Sequence, residues 1–372
     1  MAGSLQEIVN LVLDLTVCVQ QIPAPTFHEA QRSAFLNEKF LLHGLQEVST
    51  DILGNVFGRL PGAGDQAPVV VSAHLDTVFP EGTDLHLIHK EGQISGPGIG
   101  DNSLGVAALF GVLSLLRESP ILPGDVWFVA NTCEEGLGNL RGMQAVIDRF
   151  GNQAAAYIVL EGMGLGRITH RGLGVQRYRV TMCTQGGHSW ANFGRPSAVQ
   201  ELARFVSHLE NLHLPTEPRT TYNVGVFEGG TCVNVIPSEA HLELDLRSED
   251  VNALTDVCTQ VENLAGSLNR NGCDYVSVKL EIIGQRPAGE IPADHPLVQS
   301  AVRSLRALGF SAQLSIGSTD ANLPLSRGLP AICLGLTTGA DSHTLGECIQ
   351  TQPVGLGLQQ VVDVIRSVNH IA

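Results

Sequence analysis

Basic residues are scarce in this chain: 22 Lys and Arg face 37 Asp and Glu, giving a formal net charge of −15. Nucleic acid and anionic membrane surfaces attract clustered Lys and Arg, so neither is an expected partner. No apolar run approaches the ~20 residues of a membrane span. Met1-Ala-Gly-Ser-Leu-Gln-Glu lacks the basic-then-apolar order of a secretory leader. The eight cysteines are scattered with no paired spacing. Most read as small buried hydrophobes, and the set as belonging to a reducing, cytoplasmic setting without structural disulfides. Nucleotide motifs are missing too. There is no G-x-x-x-x-G-K-[ST] and no G-x-S-x-G, and in Gly96-Pro-Gly98-Ile-Gly100 the third glycine of G-x-G-x-x-G falls on Asp101.

What the chain does have is bulk and apolar content. Its 372 residues exceed the ~250–300 at which single cores stop growing, so two domains are expected, and 43% hydrophobic residues suffice to fill them. The run Ser72-Ala-His74-Leu-Asp76 follows the apolar segment Pro68-Val-Val-Val-Ser-Ala. That segment reads as a buried strand, and a histidine and an aspartate at its carboxyl end suit metal binding. Asp76 would accept a hydrogen bond from one ring nitrogen of His74 while the other faces a metal. The pattern recurs. Asp101 opens an apolar helix, Val126–Ala130 leads to Glu134-Glu135, Ala154–Leu160 leads to Glu161, and Leu329–Gly335 leads to His343. Solvent exposure explains any one of these placements but explains the recurrence poorly.

Taken together these residues resemble a known family: the zinc-dependent metallopeptidases of glutamate carboxypeptidase, succinyl-diaminopimelate desuccinylase, aminoacylase and peptidase T. The resemblance rests on His74-Leu-Asp76, Gly100-Asp101-Asn102, Glu134-Glu135-Gly136, Glu161, Gly187-His188, Asn234-Val-Ile-Pro237, Asp245-Leu-Arg247, Ser318-Thr-Asp320-Ala321 and His343. It implies two divalent ions per chain, with His74 and Glu161 on one, Glu135 and His343 on the other, and Asp101 bridging. It also implies Glu134 as general base, Asp76 behind His74, and a cis bond between Asp101 and Asn102. Zinc suits this donor set, with manganese or cobalt as feasible occupants. One departure is Asp101-Asn102-Ser103-Leu104, where many relatives carry Asp-Met-Lys-Gly or Asp-Asp-Lys-Ala.

The expected fold is α/β: a mixed, mostly parallel sheet flanked by helices in residues 1–172 and 287–372. Residues 173–286 form an insertion with the β-α-β-β-α-β order of a ferredoxin-like domain. The resemblance makes this insertion a lid and dimerisation module and implies a homodimer. It places His188 as donor to the oxyanion, and Asn234 and Arg247 on a substrate carboxylate. The expected reaction is amide hydrolysis of small peptides or N-acyl amino acids. In the family, Glu at position 161 accompanies carboxypeptidase or deacylase activity and Asp accompanies aminopeptidase activity. A peptidase-T-like aminopeptidase is the alternative, and a non-catalytic peptide-binding or scaffolding relative a more distant one. Cys133 beside Glu134 is taken as packing and not as a nucleophile.

Overall fold

The computed structural model describes residues 4–64, 66–118, 120–272 and 275–368. Cys273 lies outside the described residues. The chain separates into two compact units, Met1–Gly172 with Gly289–Ala372 and, inserted between them, Leu173–Ala288. The insertion therefore ends at Ala288, against the expected 286.

The first unit is built on a nine-stranded sheet. Its order is Gln46–Thr50, Val56–Leu60, Gly124–Asn131, Gln66–His74, Ala156–Met163, Ala331–Thr337, Arg167–Gly172 and Gly289–Glu290, with Gln313–Gly317 also paired to Arg167–Gly172. The centre is parallel: Gln66–His74 pairs with Gly124–Asn131 and Ala156–Met163, and Ala156–Met163 with Ala331–Thr337. The margins are antiparallel except for Gln313–Gly317, which pairs parallel to Arg167–Gly172. Val69–Val71, Ile158–Leu160 and Ala331–Leu336 are buried throughout their length. Such unbroken apolar runs belong to strands covered on both faces, and helices supply the cover. Leu5–Gln20 begins with a capping box, in which Glu7 N–H donates to Ser4 Oγ and Ser4 N–H to Glu7. It packs with Gly105–Arg117 and Val354–Val368.

Ile99–Arg117 joins a kinked turn, Ile99–Leu104, to the α-helix Gly105–Arg117. At 19 residues it is long and apolar enough to cross a membrane, but 83% of that window is buried inside the protein. Core helices pass the same test, and this one sits against the sheet. Parallel topology brings the carboxyl ends of the central strands to one edge of this unit, where open α/β sheets bind ligands. His74 ends its strand, Glu161 lies near the end of Ala156–Met163, and Glu134 and His343 follow Gly124–Asn131 and Ala331–Thr337.

The second unit has the strand–helix–strand–strand–helix–strand order expected for 173–286, with helices Ala198–Leu209 and Val251–Ser267. Its four strands are antiparallel in the order Thr220–Gly229, Glu239–Ser248, Gly174–Thr184 and Val276–Arg286. Strand Glu239–Ser248 alternates strictly. Ala240, Leu242, Leu244 and Leu246 are buried under the helices, while His241, Glu243, Asp245 and Arg247 occupy the other face.

Candidate metal centre

Five predicted ligands converge in the first unit. His74 Nε2 lies 3.1 Å from Asp101 Oδ1 and 3.6 Å from Glu161 Oε2. His343 Nε2 lies 3.1 Å from Asp101 Oδ2 and 3.2 Å from Glu135 Oε1. Each oxygen of Asp101 thus belongs to a different cluster, His74–Asp101–Glu161 or Asp101–Glu135–His343, and a third cluster joins His74 to Glu134 and Glu135. Within each cluster the donor atoms lie within 4.8 Å of one another. This donor set fits divalent cations: two imidazoles and several carboxylates around small common centres, with the carboxylate that bridges them flanked by a histidine on each side.

The electrostatics carry the same message. Burial pushes Glu161 up to about 7, against the pull of His74. Burial also opposes ionisation of Asp101, but hydrogen bonds with His343 and His74 hold its carboxyl well below the usual range. Hydrogen bonds to Asp101 and Glu135 raise His343 to about 10. His74 is wholly buried, which disfavours its imidazolium. Glu161, Asp101 and Asp76 together still raise it well above the ordinary value. Without a metal, protons on the imidazoles balance the carboxylates. Buried carboxylates at this density are otherwise paired or coordinate metals.

The backbone that aims these groups is unusual. The Asp101–Asn102 peptide bond is cis. Asn102 is fully buried and holds both flanks of Glu161, its Nδ2 donating to Leu160 O (2.8 Å) and its Oδ1 accepting from Gly162 N–H (2.9 Å). Glycine is needed at 162 because a Cβ there would meet Gly100 O at 2.1 Å. Glu134 and Glu135 follow Cys133, whose φ of 57° lies in the left-handed region. Burial, Glu29 and Asp76 push the Cys133 thiol up to about 11, so it is not a thiolate nucleophile at neutral pH.

Asp76 lies behind His74 and does more than pair with it. His74 Nδ1 lies 3.0 Å from the Asp76 main-chain carbonyl, whereas the carboxylate is 3.6 Å away. The carboxylate has other donors. Oδ1 accepts Glu134 N–H at 2.9 Å, and Oδ2 accepts both Glu135 N–H and Thr26 Oγ1–H at 2.9 Å. Asp76 therefore faces the histidine with both its backbone carbonyl and its carboxylate, and holds the paired glutamates through the same side chain. Asp76→Asn, which leaves buried amides short of an acceptor, should cost about 1–3 kcal/mol of stability. Thr26→Val should cost roughly 1 kcal/mol. Denaturant midpoints of the two variants test the ranking.

Residues 70–367 match the profile of peptidase family M20/M25/M40. The chain belongs to that family. It is 25% identical over 365 residues to the uncharacterized protein YqjE of Bacillus subtilis, covering 93% of this chain and 95% of that one. It is 25% identical to succinyl-diaminopimelate desuccinylase of Corynebacterium glutamicum, covering 90% of each chain. Among solved structures, a tripeptidase of Staphylococcus aureus superposes with a TM-score of 0.80 at 24% identity, covering 100% of both chains. A dinuclear metal-binding M20 peptidase of Bacillus subtilis gives 0.70 at 16% identity, covering 99% of this chain and 100% of that one. The fold is therefore the M20 fold, and the chain is a metal-dependent peptidase or amidohydrolase.

The remaining predicted residues of this M20 chain lie in the second unit. His188 is exposed, and its Nδ1 accepts N–H from Trp190 at 3.1 Å, which puts the ring proton on Nε2. Gly187-His188 pairs with Val235-Ile236, and Ser189 N–H donates to Asn234 O at 3.1 Å, so His188 and Asn234 share one ribbon. The Asn234 side chain accepts from Cys232 Sγ at 3.0 Å. Arg247 is on the sheet, its Nε donating to Asp245 Oδ2 at 2.6 Å.

Four supporting residues had been given no role from sequence: Thr26, Asn102, Glu347 and Arg32. Arg32 is 2% exposed and donates to Ile22 O and Leu75 O, both at 2.7 Å, tying the N-terminal segment to the loop beyond His74. Its signal was present, since Arg32 stands on the same helix face as Leu36 and Phe40, and a charge on an apolar face needs partners.

Proposed function

We propose that the chain is a two-metal hydrolase that cleaves amide bonds in small peptides or N-acyl amino acids, with a leaving group that carries a free α-carboxylate. The observation that supports two ions is Asp101, whose two oxygens face two separate histidines at 3.1 Å each. His74, Glu161, Asp101, Glu135 and His343 would hold the ions, most simply zinc, with manganese or cobalt as feasible occupants. When bound, such ions acidify water and polarise a carbonyl.

The chain's own groups do the rest. Glu134 takes the proton from the attacking water and delivers it to the leaving nitrogen. It is 5% exposed, so bulk water competes little for that proton. His188 donates from Nε2 to the oxyanion, an assignment consistent with the tautomer that Trp190 N–H imposes. Asn234 and Arg247 are assigned to the substrate carboxylate, for which a guanidinium is well shaped.

Polarity is tested with blocked substrates. Amidating the substrate's C-terminus should cut turnover sharply, and acylating its N-terminus should be tolerated. The reverse pattern would favour an aminopeptidase. The same assay in the soluble fraction of cells would address the cytoplasmic setting inferred from the unpaired cysteines.

A homodimer through the second unit is part of this proposal. Its outer strands are Thr220–Gly229 and Val276–Arg286, the latter bridged to Arg270 only at its start, and they carry the half-exposed Phe227 and Ile282. Open edges of this kind template strand pairing with a second copy. Light scattering at micromolar concentration should report twice the 39.6 kDa chain mass; a monomer would count against it.

A further inference from the structure

We propose that Glu347 is a positioning residue of the metal centre, its carboxylate setting the turn that aims both oxygens of Asp101. The inference rests on the metal-site reading above. Glu347 is fully buried. Its Oε1 accepts Gly100 N–H at 2.6 Å and Asp101 N–H at 2.7 Å, and its Oε2 accepts Gly98 N–H at 3.3 Å. Its main-chain carbonyl accepts Gly96 N–H at 2.8 Å. One residue thus grips Gly96 to Asp101 through four donors.

The reason lies in the backbone. Asp101 and Asn102 leave helical geometry, with φ/ψ of −112°/88° and −130°/36°. Amides at such a kink lack helical acceptors, and buried N–H groups need partners. The two oxygens of one carboxyl serve several of them at once, and these amides oppose the burial that pushes Glu347 up to about 7. Glu347 also stands four residues after His343, in a turn closed by Thr344 N–H to Asp341 O and Glu347 N–H to Thr344 O. The bridging aspartate and the histidine on its second oxygen are 242 residues apart in sequence. Glu347 joins their two loops before any ion arrives. Groups behind metal ligands of this kind typically govern affinity by 10–100-fold.

The test is metal affinity by chelator competition, with zinc and with manganese, for wild type, Glu347→Gln and Glu347→Asp. Glu347→Gln keeps the volume but sets an amide N–H₂ against N–H donors. We expect about 10–100-fold weaker binding, with Glu347→Asp intermediate, and a smaller rise in Tm on adding metal than wild type shows. A purely structural role would lower the metal-free and metal-loaded Tm in parallel and leave affinity within twofold; that result overturns the proposal. Should the variants not fold, hydrogen exchange on the wild type decides. The amides of Gly98, Gly100 and Asp101 should be protected without metal, and protection that appears only on metal addition would overturn pre-positioning. A wild type that binds no divalent ion would instead refute the metal site itself.

Discussion

Glu134→Gln is expected to lower kcat by about 10²–10⁴, the range over which a positioned general base contributes, while metal content stays at the wild-type level. The separation from its neighbour is structural. Glu135 Oε1 faces His343 at 3.2 Å and belongs to the cluster around Asp101 Oδ2. The main-chain amides of both glutamates are held by Asp76, each at 2.9 Å. Changing the side chain at 134 therefore leaves the loop anchored and removes one acid–base group. Glu135→Gln should show the converse: weaker retention of one ion, with activity partly restored by added metal. Metal analysis beside kcat and KM distinguishes the two. Equal kcat for Glu134→Gln and wild type would remove Glu134 from the mechanism.

Four of the candidate ligands, His74, Glu135, Glu161 and His343, were legible because they follow apolar runs whose carboxyl ends a parallel sheet collects on one side, and Asp101 because it opens an apolar helix. The insertion was legible for a different reason: the period-two alternation from Glu239 to Ser248 cannot belong to a strand buried on both faces. What stayed hidden is the layer behind the ligands. Thr26, Asn102 and Glu347 act on main-chain groups, and nothing in local spacing tells which distant amide a side chain will reach. Asp76 shows the limit most plainly. Its place behind His74 was readable from their two-residue spacing, but not its carboxylate's grip on the amides of Glu134 and Glu135, brought beside it by the pairing of Gln66–His74 with Gly124–Asn131.

Metal loading should release protons, and acidification should strip the centre and its activity together. In the metal-free protein His343 is raised to about 10 by Asp101 and Glu135, His74 is raised well above its ordinary value, and burial puts Glu161 at about 7. At pH 7 both imidazoles are therefore protonated and Glu161 is partly so. Ligation requires neutral imidazoles and an ionised carboxylate, so binding displaces about 2–3 protons. Apparent affinity should then fall by roughly two decades or more for each pH unit below 7. The metal-free fold has the opposite sign. A raised histidine stabilises the fold fully below its unfolded pKa near 6.5, and that contribution disappears as pH rises through about 10 for His343. Alkaline pH should thus weaken the metal-free protein while favouring the loaded one, widening the gap between their melting temperatures. Calorimetric titration of zinc in two buffers of different ionisation enthalpy counts the protons, and melting curves from pH 6 to 10 with and without chelator follow the gap. Affinity that does not change with pH, or full activity after exhaustive chelation, would show that these imidazoles and carboxylates do not share a metal.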